Sequence, residues 1–146
     1  MTQNFYCLIG SHHFSRNVSV GLLVLRIVTG VGFILHGSGK IVQPFAWMPP
    51  GAPVPGFLQF LAALSEFGGG IALLLGLLTP LASLGLMITM AVAAFFHISK
   101  GDGFVQGYEL ALVYFAISLL FFLAGPGRFS VDHWLIKRCC QPTKRA

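Results

Sequence analysis

An ionisable side chain set in a long apolar run costs about 2.5–3.5 kcal/mol on membrane-insertion scales, so each one needs a partner or a purpose. Six stand inside or at the edges of such runs here: Arg26, His36, Lys40, Glu66, His97 and Glu109, with Tyr108 beside the last. Imidazole, ammonium and phenol groups can donate hydrogen bonds to the oxygens of a small ring, and carboxylates can relay protons. Each residue also has a structural reading. Arg26 and Glu66 carry opposite charges and are expected to pair, locking the first two helices. Lys40 can extend its ammonium to the membrane surface. Glu109 can complement a helix dipole. His36 and His97 could serve as the two axial ligands of one haem, a reading we set aside. The three cysteines, Cys7, Cys139 and Cys140, have no CxxC or Cys/His ligand spacing, so neither a metal site nor a disulfide framework is expected.

The elements that must position these groups are membrane helices. Hydrophobic residues make up 55% of the 146 and charged residues 9%, with a mean hydropathy of +0.82. Soluble domains carry about 25% charged residues. The apolar residues fall into four runs, about 18–41, 57–78, 81–98 and 104–124, each long enough to cross most of a ~30 Å hydrocarbon core. The expectation is an all-α, four-transmembrane-helix bundle of residues 18–124. It is preceded by a polar segment 1–17 and followed by a basic tail 125–146. Arg26 interrupts the first run and no small-residue cleavage site follows it, so that run reads as a retained helix and not a signal peptide. The loop 43–56 holds Pro44, Pro49, Pro50, Pro53 and Pro55, which forbids a regular helix. Thr79-Pro80 breaks the second run from the third, and Gly125-Pro126-Gly127 stops the fourth. In the tail, Ser130 can cap a short interfacial helix with Trp134, Leu135 and Ile136 on its apolar side.

Arg16, Arg128, Lys137, Arg138, Lys144 and Arg145 fall on one side of the membrane; Lys40 and Lys100 fall on the other. The positive-inside rule therefore puts both termini in the cytoplasm. With that orientation His36, Lys40, Glu66, His97, Tyr108 and Glu109 fall in the outer half of the bundle, and the long arm of Arg26 is expected to reach up to them. Spacings of three and four place Arg26, Thr29, Phe33, His36 and Lys40 on one face, and Ser83, Met87, Met90, Ala94 and His97 on another. Ser65, Gly69, Ala72 and Gly76 form a small-residue stripe that lets helices approach closely. The net charge of +5 sits mainly at the chain ends, which suits anionic lipid; no nucleic-acid signature is present.

Residues 20–135 resemble the DoxX family of bacterial membrane proteins. The resemblance rests on Arg26, Gly30-x-Gly32-Phe33, His36-Gly37 and Lys40 in the first run. It continues through Glu66-x-Gly68-Gly69, Leu73-Leu74-Leu75-Gly76-Leu77-x-Thr79-Pro80, His97, Gly107-Tyr108-Glu109 and Gly125-Pro126-Gly127-Arg128-Phe129-Ser130-Val131-Asp132. It implies a four-helix bundle in the bacterial inner (plasma) membrane, associated with redox complexes and thiol stress. It names no reaction. The absence of cysteine from the spans argues against a thiol relay through this chain alone.

Three functions follow as expectations. The first is a membrane subunit associated with an oxidoreductase, itself at most part of a quinone-linked enzyme, binding quinone at the polar cluster and drawing electrons from a protein partner. The second is a non-catalytic scaffold or partner-recruiting protein, in which the cluster locks the bundle and the Pro-rich loop or basic tail recruits another protein; a homo-oligomer is compatible with either. The third is a small-solute or proton carrier, ranked last because only Arg26 lies in the inner half.

Overall fold

The computed structural model describes residues 14–139, the side chain of Cys139 excepted. His12, His13, Cys7, Cys140, Lys144 and Arg145 lie outside the described residues. Four helices are long and apolar enough to cross a membrane. They are α1 (Arg16–Val42), α2 (Gly56–Leu75), α3 (Thr79–Ser99) and the continuous segment Phe104–Ala124, in which a π-helical turn Phe104–Tyr108 runs into α4 (Glu109–Ala124). A short α5 (Val131–Cys139) follows. No strand occurs among the described residues.

Each boundary has a local cause. Ser15 caps α1 by accepting from Val18 N–H at 3.4 Å. Pro55 precedes α2, where its missing N–H costs nothing. Gly76, at φ +67°, ends α2 in a Schellman turn: Gly76 N–H donates to Leu73 O and Leu77 N–H to Ala72 O. The next turn forces Leu78 into the left-handed region at φ +48°, a strained position for a branched side chain. Ser130, expected as a cap, accepts from His133 N–H at 3.1 Å at the start of α5.

The helices pack in chain order, α1 on α2, α2 on α3 and α3 on α4. Glycines bring α1 and α2 together. A Cβ at Gly37 would lie 2.5 Å from Phe67 N, and one at Gly70 would lie 2.9 Å from Ile34 N. Gly69 faces the other way, onto Leu86 of α3. The run Gly68-Gly69-Gly70 thus thins α2 toward two neighbours at once. Phe33, Leu73, Leu86 and Phe121 are almost wholly buried between the helices, while Val28, Leu35, Phe95 and Leu123 face outward as a lipid-contacting surface demands. Backbone contact between α1 and α4 is sparse.

Candidate functional site

Glycine contacts fix the register of α1 against α2, and the register fixes the ion pairs. Gly37 lies beside Phe67, so the last turn of α1 meets Glu66. Lys40 Nζ donates to both Glu66 oxygens at 2.6 Å. The Glu66 side chain is 3% exposed and that of Lys40 27%. Trp47, from the Pro-rich loop, lays its ring 4.7 Å from the same ammonium. Gln59 holds that loop down: its amide accepts from Met48 N–H and donates to Val54 O, while Trp47 Nε1 donates to the Gln59 carbonyl. The Lys40–Glu66 pair is therefore covered by a braced loop, and not left bare at the surface.

Arg26 does not pair with Glu66, and its arm does not reach toward that level. It lies about 21 Å from Lys40 along α1, taking ~1.5 Å per residue. There Nε donates to Leu73 O and Nη2 to Leu74 O at the end of α2. Nη1 donates to Pro126 O and Phe129 O in the loop after α4. A cation at the carbonyl end of α2 also complements that helix's dipole. Its buried charge is thus spread over four backbone oxygens, with the Asp132 carboxylate exerting an opposite field nearby. Asp132, a residue to which the sequence reading gave no role, accepts from Leu78 N–H and Thr79 N–H at 2.8 Å, and its own N–H donates to Gly76 O. It caps α3 from the far end of the chain and holds the strained Leu78 turn. Arg26 and Asp132 together bolt one end of the bundle; the signal in the sequence was Asp132 closing the Gly-Pro-Gly-Arg-Phe-Ser-Val-Asp motif.

At the opposite end a cleft of about 160 Å³ opens between the helices. Its polar lining is His36 and Lys40 from α1, Glu66 from α2, His97 from α3 and Tyr114 from α4; Phe33, Met90, Ala93, Leu110 and Ala111 supply apolar walls. Tyr114 bridges the loose seam: its hydroxyl lies over Gly32, its ring centroid is 4.7 Å from that of Phe33, and it meets the edge of His36 at 6.2 Å. Four of the seven residues singled out from the sequence, His36, Lys40, Glu66 and His97, share this cleft. Arg26 is at the other end. Tyr108 stacks edge-on with Phe104 at 5.3 Å, and Glu109 is half-buried at the start of α4; neither lines the cleft. Tyr114 lines it in their place, two turns deeper. No group of His, Cys, Asp and Glu among the described residues is arranged to hold a metal ion.

The sequence model of the DoxX family matches residues 21–98. The chain belongs to the DoxX family. An uncharacterized protein of Haemophilus influenzae is 37% identical, covering 80% of this chain and 92% of that one. Inner membrane protein YqjF of Escherichia coli is 35% identical over 82% of this chain and 95% of its own. A Bacillus subtilis relative named "Putative oxidoreductase CatD" is 23% identical over 84% of this chain and 92% of its own. No solved structure matches. Like the Escherichia coli relative, the chain is a multi-pass protein of the bacterial inner membrane.

Proposed function

We propose that this DoxX protein is a membrane subunit working beside an oxidoreductase, and that its cleft binds the ring of a quinone. The observation that carries the reading is the convergence of His36, Lys40, Glu66 and His97 on a ring-sized space beside the loosely packed α1–α4 seam. A cavity of about 150 Å³ holds a benzene ring, so a cleft of 160 Å³ matches a single six-membered ring, with ring substituents outside it, and no drug-sized ligand. The isoprenoid tail leaves through the seam into lipid. Lys40 directs two hydrogens to Glu66 and keeps a third for a quinone oxygen. Phe33, Met90 and Tyr114 enclose the ring. Electrons come from the partner enzyme, a role consistent with the oxidoreductase name of the Bacillus relative. The lysine and arginine count supports cytoplasmic termini, which sets the cleft in the outer half of the membrane.

A scaffold reading draws on one observation: Lys40 and Glu66 already satisfy each other under Trp47. Native mass spectrometry of the protein, gently extracted with a C-terminal tag, separates the two. A bound quinone, absent from an Ala93→Phe variant that fills the cleft, supports the quinone reading. A bare protein, or one carrying only phospholipid and a non-redox partner, supports the scaffold.

A further inference from the structure

The end of α3 is built as a second Schellman turn. Gly101, at φ +78°, donates its N–H to Ile98 O, and Asp102 N–H donates to His97 O at 3.1 Å. This motif normally sets an apolar contact between the two residues that occupy the positions of His97 and Asp102. Here the contact is polar: His97 Nδ1 and Asp102 Oδ2 are 2.7 Å apart. Gly107 of the π-helical turn packs against the same residue: a Cβ there would sit 2.8 Å from Asp102 Cβ. π-Helical turns of this kind concentrate at functional sites.

The consequence is a choice of tautomer. A carboxylate only accepts, so the proton of a neutral His97 ring stays on Nδ1. The free ring nitrogen, Nε2, then carries a lone pair, and His97 lines the cleft. An acceptor at that point pairs with a hydroxyl and not with a carbonyl oxygen.

Resting on the quinone reading, we propose that the cleft prefers the reduced, hydroxyl-bearing quinol over the quinone, with His97 Nε2 accepting the hydroxyl hydrogen bond and Asp102 as the positioning residue. The test uses the full chain in lipid nanodiscs with two probes, a short-chain benzoquinol and its benzoquinone, kept apart under anaerobic conditions. One correctly oriented hydrogen bond gives a preference of about tenfold for the quinol. Nitrogen-15 NMR of histidine-labelled protein at alkaline pH reads the tautomer directly, with His97 expected in the Nδ1–H form. Asp102→Ala, which removes the acceptor at Nδ1, is expected to let His97 shift toward the Nε2–H form and to weaken or abolish the preference. Gly107→Ala, which displaces Asp102 without changing its charge, is expected to weaken both readouts in parallel. Binding of both probes with equal affinity, or an unchanged tautomer in Asp102→Ala, overturns the inference and leaves the quinone reading standing. Failure of the wild type to bind either probe overturns both.

Discussion

The Lys40–Glu66 pair predicts an asymmetry that its exposures determine. Removing one partner of a buried ion pair costs about 3–5 kcal/mol when the survivor is left buried and unpaired. Lys40→Met leaves a carboxylate that is 3% exposed, so it should carry that full cost. Glu66→Gln leaves an ammonium that is 27% exposed at the last turn of α1. Its flexible stem can turn toward the headgroups, so the loss falls to about 1–2 kcal/mol, that of charge-assisted hydrogen bonds. Lys40→Met/Glu66→Leu, which removes both charges, should lie within about 1 kcal/mol of wild type. At roughly 2–4 °C per kcal/mol for a chain of this size, Lys40→Met should melt about 2–16 °C below Glu66→Gln. Thermal unfolding in nanodiscs followed by tryptophan fluorescence suits the measurement. Trp47 stacks on the Lys40 ammonium, and Trp134 on the Arg138 guanidinium of α5 is an independent reporter. Glu109→Gln, whose side chain has no partner among the described residues, should move the melt by no more than about 0.5 kcal/mol. Equal melting of Lys40→Met and Glu66→Gln, or the reverse order, would refute the reasoning.

Arg26→Lys keeps the charge but cannot span four carbonyl oxygens, and should cost about 3 kcal/mol or more in the same melting assay. Asp132→Ala removes both hydrogen bonds at the start of α3 and should cost about 1–2 kcal/mol, with amide exchange at Leu78 and Thr79 rising ahead of the helix core. Gly37→Ala drives a Cβ into the Phe67 backbone and should destabilise by about 1–3 kcal/mol, whereas Gly39→Ala, with open space around it, should be neutral or stabilising by up to about 1 kcal/mol. Gln59→Ala should release the Pro-rich loop with little effect on melting, seen as faster limited proteolysis between residues 46 and 54.

Four membrane helices were legible because lipid imposes long apolar runs, and the proline and glycine breaks between them follow from backbone geometry. The convergence of His36, Lys40, Glu66 and His97 was legible too, because alternating helix direction fixes depth. Helix register was not. Arg26 and Glu66 look like partners by charge, but the Gly37–Phe67 and Gly30–Leu74 contacts slide α1 along α2 until Lys40 faces Glu66. Neutral carbonyl oxygens, the actual partners of Arg26, leave no mark in a sequence because every residue has one. Tyr114 was passed over in favour of Tyr108 because nothing in the residues tells which of two phenols on one helix faces a seam. Asp132 was invisible for a similar reason: its targets are the N–H groups of Leu78 and Thr79, more than fifty residues away in the chain. The His97–Asp102 turn was closest to being readable, since a glycine between a helix-ending lysine and an aspartate is a common stop signal.

The most direct test of a quinone site in the cleft is photolabelling in intact membranes, using a quinone with a photoreactive group on its ring and mapping adducts by peptide mass spectrometry. The account predicts adducts on peptides carrying Phe33, His36, Met90 and Tyr114, competed by unlabelled quinone and lost in Ala93→Phe. Adducts spread over lipid-facing residues such as Phe95 and Leu123, insensitive to competitor and unchanged in that variant, would contradict it.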